Sequence, residues 1–252
     1  MAAYLGGRVD PIDDYENDVC IYILGEYRLP EVRYAYYDVM DCGYARISRI
    51  RRRTKGPLIA VSMAQYAEFK SIYPNKTVYF IPHHHCNFER QIRPDRPILK
   101  VGCCGGDSAI QWPHDRIEAW LKELGLEWSF TNEYSRRERV VDFYKNLDIQ
   151  IVFRPTHSRG IPGHTNPLKL SNAGSFGIPT VAFPEVAFTP EWNSDSVVYA
   201  DNMGELMRQV RRLKDDPAWY EAMSNAAREK AEEYHIDNIA KLYRQLPGVE
   251  NS

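Results

Sequence analysis

Short apolar runs alternate with longer amphipathic stretches along most of the chain. Val19–Leu24, Leu58–Val61, Val78–Ile81, Ile98–Gly102, Trp128–Thr131, Ile149–Phe153, Thr180–Phe183 and Val197–Tyr199 have the length of strands. Several end in glycine, proline or a polar turn, which marks them as buried strands. Arg33–Tyr37 reads as a further apolar strand. The intervening segments carry the helical period. Ile117, Trp120, Leu121 and Leu124 share one face of Asp115–Leu124, and Val140, Val141, Tyr144 and Leu147 share one face of Arg137–Leu147. Leu168–Phe176, Met203–Lys214 and Pro217–Glu233 continue the series, and Pro217–Gln245 as a whole reads as almost entirely helical. Strands alternating with helices of this length predict βαβ units, a parallel sheet and ligands at the strand carboxyl ends. The charged, proline-containing run Arg90–Pro97 predicts a linker between an α/β half at 1–97 and another at 98–252.

Composition narrows the class. The chain has 252 residues, 44% hydrophobic and 26% charged, enough for a real core in one large domain or two small ones. A net charge of −2 gives the molecule no global field for nucleic acid or anionic membrane. No apolar run is long enough to span a bilayer, and the N-terminus lacks the basic start and apolar core of a signal peptide. Cys20, Cys42, Cys86, Cys103 and Cys104 form no C-x-x-C pair, which fits reduced thiols and a cytoplasmic location.

The chemistry concentrates in the second half. Strand Ile98–Val101 runs into Gly102-Cys103-Cys104-Gly105-Gly106-Asp107, where glycines let backbone N–H groups approach a phosphate. Strand Ile149–Phe153 runs into a loop bearing Arg154, His157, Arg159 and His164, cations suited to a diphosphate. A helix then starts near Pro167. Its N-terminus offers free amides and the positive end of a dipole, and Lys169 adds a full charge. Ala173, Gly174 and Ser175 are small enough for that helix to lie close to the sheet.

The run Pro167-Leu168-Lys169, Ala173, Gly177, Pro179, Val181-Ala182 resembles the donor-site signature of the retaining glycosyltransferases of family 4, which have the GT-B fold. Leu213–Pro217 and Met223–Arg228 resemble that family's terminal helices, and Ile59–Ser62 with Val78–His83 resemble the end of its first domain. The resemblance implies two Rossmann-type parallel-sheet halves, the first reduced, with C-terminal helices. It implies transfer of a sugar from a nucleotide-diphosphate sugar to an acceptor hydroxyl, with retention of configuration. On that reading Gly105, Gly106, Arg154, Arg159 and Lys169 hold the diphosphate beside Pro167 and Leu168. Where the family carries two glutamates, this chain has His164 and Asn172. Asn172 can still hydrogen-bond a ribose hydroxyl, and His164 can assist the leaving group. The absence of both glutamates also admits a degenerate binding protein with the same fold.

His83-His84-His85-Cys86 invites a zinc reading, but adjacent histidines point apart and no second ligand cluster accompanies them. By the resemblance His83 and His84 line the cleft and contact the acceptor. Asp38 and Asp41 follow a strand, where a carboxylate binds an acceptor hydroxyl or caps the next helix. No Asp-x-Asp pair is present, so neither a metal nor any other cofactor is expected. The basic run Arg46–Lys55 is a solvated face or a surface for a phosphate-bearing acceptor: a lipid-linked carrier, an anionic membrane or nucleic acid. The acceptor, whether glycan, lipid-linked or nucleic acid, is not written in these residues.

Overall fold

The computed structural model describes residues 1–9, 18–23, 32, 34–39, 56–155 and 166–249. They fall into two compact units. The first takes in the chain up to His83, with Asn166 and the segment from Ile236 onward; the second takes in His84–Pro155 and Pro167–His235. The chain therefore passes from one unit to the other at His83–His84, upstream of the Arg90–Pro97 run.

In the first unit, β1 (Val19–Ile23), β2 (Tyr34–Asp38), β3 (Leu58–Ala60) and β4 (Val78–Phe80) form a parallel sheet in that order. The two-residue period of β3 sorts its side chains. Leu58 and Ala60 pack with Phe69 and Tyr73 of α1 (Met63–Ile72) and its C-cap. Ile59 faces the other way, onto Ile239, Tyr243 and Leu246 of α7 (Ile236–Arg244) and the turn after it. Both faces of the sheet are covered, which is why β3 reads as an unbroken apolar run. Helix α1 was not legible from apolar periodicity. Its signal is Ser62 followed three residues on by Gln65: the Ser62 hydroxyl accepts from the Gln65 amide, and Gln65 Oε1 accepts from the Val61 amide.

The second unit has five parallel strands in the order β6-β5-β7-β8-β9. They are β5 (Lys100–Cys104), β6 (Glu127–Thr131), β7 (Ile149–Val152), β8 (Thr180–Ala182) and β9 (Val198–Tyr199). Ile117 and Leu121 of α2 (His114–Glu123) and Leu206, Val210 and Leu213 of α5 (Met203–Asp215) cover Val101, Ile149 and Ile151 on one face. Val140 and Tyr144 of α3 (Arg137–Lys145) and Ala173 of α4 (Leu168–Ser175) lie on the other. From β5 the chain steps outward to β6, then crosses back over β5 to form β7. The sheet order thus reverses between β5 and β7, and the carboxyl ends of those two strands form a topological switch point.

Gly174 of α4 serves a different neighbour from the sheet expected of it. A Cβ there would meet the Ala227 carbonyl at 2.7 Å and Ala231 Cβ at 3.2 Å, so the glycine lets α4 lie against α6 (Pro217–Glu232). The stretch from Pro217 is almost wholly helical, as expected, in two successive helices, α6 and α7. In the turn between them the Tyr234 carbonyl accepts from the His85 amide and His235 Nε2 meets the Phe88 carbonyl at 3.0 Å. His85 is 2% exposed, and burial, then His235 and His84, lower its pKa to about 3. The sign is fixed: a histidine whose folded pKa lies below its unfolded value stabilises above pH 6.5, and that stability is lost as pH falls toward 3. Between pH 6.5 and pH 5 the loss is about 2 kcal/mol. Urea unfolding at the two pH values measures it, and His85→Phe should flatten the difference.

Candidate donor site at the switch point

Both strands at the switch point end in the residues singled out from sequence. Strand β5 continues two residues further than predicted, through Cys104, so the loop begins at Gly105. The Gly105 amide donates to the Thr131 carbonyl, and its φ is +154°. A Cβ at Gly105 would stand 2.6 Å from Lys169 Nζ and 2.8 Å from Ala109 Cβ. The glycine is there because the lysine ammonium occupies the space beside its Cα. Gly106 follows as the cap of a short turn, with the Tyr134 hydroxyl 3.9 Å from its Cβ position. Gly105→Ala should therefore cost about 1–3 kcal/mol and push Lys169 off the loop. A urea melt reads the first effect, and unchanged stability would contradict the placement of the ammonium.

Lys169 is delivered by α4. Pro167 stands at the N-cap and has no side chain with which to satisfy the first amides, and Ser171 N–H donates to its carbonyl to begin the helix. Leu168 and Lys169 are the first two helical residues, so the ammonium and the positive end of the helix lie together. Among the described residues no carboxylate is within ion-pair distance of Lys169 Nζ. Its position is set from below by Gln150, which is fully buried in β7 on the α4 face. Gln150 Nε2 donates to the Lys169 carbonyl at 2.9 Å and to Thr180 Oγ1 at 3.0 Å, while its Oε1 accepts from the Tyr144 hydroxyl at 2.8 Å. Sequence reasoning passed over Gln150; a lone polar residue in the apolar run Ile149–Phe153 was its only signal.

Arg154 lies at the carboxyl end of β7 and is 8% exposed. Its Nε and Nη2 donate to the two oxygens of Glu185, each at 2.7 Å, in a bidentate pair. Arg154 thus carries a matching carboxylate, and among the described residues at the switch point Lys169 is the cation without one. Glu185 was not read from sequence; it follows Pro184 just beyond β8, another strand end at which a carboxylate signals a site.

Asn172 is buried, and its Oδ1 accepts from the Cys86 amide at 2.8 Å. The oxygen expected at a ribose is turned onto the backbone, where it fastens the 84–91 segment to α4. Asn87 continues the strap by donating to the Ser175 carbonyl at 2.9 Å. The histidine run disperses as its alternation requires. His83 faces Asp38, His84 packs edge-on against Phe88, and His85 packs against His235. Burial pushes the Cys86 thiol up to about 12 and, despite Lys169 nearby, the Cys103 thiol up to about 11, so neither is a nucleophile at neutral pH. His164, Arg159, Asp41 and the Arg46–Lys55 run lie outside the described residues.

No protein-family model matches the chain, and no curated protein sequence matches it. Solved structures do. Sucrose-phosphate synthase from Thermosynechococcus elongatus aligns over 84% of this chain and 67% of its own at 15% identity, with a TM-score of 0.57. WaaG, a glycosyltransferase involved in lipopolysaccharide biosynthesis, aligns over 88% and 76% at 13% identity and a TM-score of 0.57. Anabaena HepE in complex with UDP and glucose aligns over 84% and 69% at 11% identity and a TM-score of 0.58. The chain spans only 52% and 50% of two further neighbours. At these identities the likeness is one of fold: two parallel-sheet, Rossmann-like units with the GT-B architecture of glycosyltransferases. No helix among the described residues is long and apolar enough to cross a membrane.

Proposed function

We propose that the chain transfers a sugar from a nucleotide-diphosphate sugar to an acceptor hydroxyl, with the donor held on the second unit. The observation that carries this reading is Lys169 Nζ set against Gly105 at the switch point, with no carboxylate among the described residues to neutralise it. A diphosphate laid on Gly105 and Gly106 would receive the ammonium, the first amides of α4 and the positive end of that helix. These groups favour the dianion that develops as the sugar–oxygen bond breaks, which is the main catalytic lever in a dissociative transfer. No metal is required for that charge stabilisation. The family resemblance adds retention of configuration, which the anomer of the product tests. Arg154, tied to Glu185, would contribute its remaining N–H groups, as orientation rather than net charge.

Release of nucleoside diphosphate from UDP-, GDP-, ADP- and CDP-sugars, with and without simple glycoside acceptors, tests the reading. Turnover of one donor supports it. The second reading, a binding protein without turnover, is favoured by Asn172, whose carbonyl holds the Cys86 amide where the resemblance would put a ribose-binding glutamate. Nucleotide binding with no release from any sugar conjugate would select it.

A further inference from the structure

A buried chain of hydrogen bonds runs through the second unit from the 84–91 segment to the first turn of α4. Asn172 Oδ1 accepts from the Cys86 amide at 2.8 Å, and the Asn172 side chain also hydrogen-bonds the Tyr144 phenol. The Tyr144 hydroxyl donates to Gln150 Oε1 at 2.8 Å, and Gln150 Nε2 donates to the Lys169 carbonyl at 2.9 Å. All three side chains are buried, and the Tyr144 ring is held by stacking on Phe176. The ends of the chain fix its sense. A backbone amide only donates, so Asn172 turns its oxygen to Cys86 and is left with its NH2 group for Tyr144. A phenol that accepts from Asn172 has its own proton free for Gln150. Burial raises that phenol well above its ordinary pKa, so the proton stays in place near neutrality. Gln150 must then turn its oxygen to Tyr144 and its NH2 group to the Lys169 carbonyl, which only accepts. The helix depends on that contact, because Pro167 gives it no side-chain cap.

We propose that Asn172 is a positioning residue for the diphosphate, acting through Tyr144 and Gln150 on Lys169, an assignment that rests on the sugar-transfer reading. The chain needs a side chain at 172 that accepts on one side and donates on the other, which asparagine does and a carboxylate does not. A carboxylate would still accept from Cys86, but it would also take the Tyr144 proton. The phenol oxygen would then draw Gln150 Nε2 to itself and leave Gln150 Oε1 facing the Lys169 carbonyl. Two facing acceptors repel, so the first turn of α4 would shift away from β7 and carry Lys169 off Gly105. Asn172 never touches the ligand; it decides which end of Gln150 the helix meets.

Calorimetric titration of the full chain with UDP, GDP, ADP and CDP and with the corresponding nucleosides tests this, at pH 8, where an introduced carboxyl is ionised. The expected result is that Asn172→Asp weakens the diphosphate that the native chain binds about three- to tenfold and leaves its nucleoside unaffected. Adding Tyr144→Phe frees Gln150 to turn its NH2 group back to Lys169. The double variant should therefore regain most of the lost affinity, although it is the less stable protein. A charge acting at a distance, or a role in stability alone, predicts a double variant no better than Asn172→Asp, and that result overturns the proposal. So does an Asn172→Asp affinity equal to that of the native chain. If Asn172→Asp does not fold, Gln150→Met removes the donor to Lys169 and should weaken the same diphosphate by a similar factor; unchanged affinity there overturns the proposal. No diphosphate bound by the native chain overturns the donor reading and this assignment with it, whereas native binding without rescue overturns the assignment alone.

Discussion

Asp148→Ala should cost about 3–5 kcal/mol of stability, the largest effect of any single substitution considered, because it strands two guanidinium groups and two amides. Asp148 is 1% exposed. Its Oδ1 accepts from Arg93 Nε at 2.8 Å and Arg96 Nε at 2.9 Å, and its Oδ2 accepts from the Leu99 and Lys100 amides at 2.8 and 2.7 Å. The residue's own amide donates to the Lys100 carbonyl, and its carbonyl accepts from the Tyr220 hydroxyl. One residue, through its carboxylate and its backbone, thus joins the 93–97 segment, the start of β5, the start of β7 and α6. Burial alone would raise its pKa, but those four hydrogen bonds hold it below the ordinary aspartate value. A lowered carboxylate stabilises above its unfolded pKa and loses that contribution as pH falls through the folded value. The network should therefore hold at every pH above the ordinary aspartate range and weaken only in acid below it. Urea unfolding of the variant at pH 7 measures the loss. Because Asp148 sits at the amino ends of the strands, the folded fraction should bind nucleotide as tightly as the native chain.

Lys169→Ala should do the reverse. The side chain makes no ion pair with the described residues, so its removal should leave the unfolding midpoint within about 0.5 kcal/mol of the native value. A charge-assisted hydrogen bond to phosphate is worth about 1.5–3 kcal/mol. The affinity for a nucleoside diphosphate should accordingly fall about ten- to a hundredfold. The nucleoside alone, which lacks the phosphates, should bind the variant and the native chain equally. Loss of affinity for both ligands would mean that Lys169 shapes the site as a whole instead of meeting the diphosphate.

These two residues show what the sequence makes legible. Lys169 was readable because its role is local: a strand, a loop, a helix start and a cation follow one another within the motif. The parallel strands were readable for the same reason, since burial on both faces leaves an apolar run with sharp ends. Asp148 was not readable, because its partners Arg93, Arg96 and Leu99 lie some fifty residues away and only the sheet brings them together. The same holds for Arg154 and Glu185, thirty-one residues apart, whose pairing cancels a charge that the sequence alone would credit to the ligand. Arg90–Pro97 looked like a linker because it is charged and proline-containing, yet Arg93 and Arg96 are consumed by Asp148. The helical character of Pro217–Gln245 was legible because alanine, glutamate and lysine favour helix throughout. The turn between its two helices was not, since it depends on His235 and Tyr234 meeting the backbone around His85.

The central claim is that the switch point between β5 and β7 is a diphosphate site. Calorimetric titration of the intact chain with UDP, GDP, ADP and CDP tests it most directly. The account predicts saturable binding of at least one of them, weakened about ten- to a hundredfold by Lys169→Ala. No binding by any of the four, or binding that Lys169→Ala leaves untouched, would contradict it.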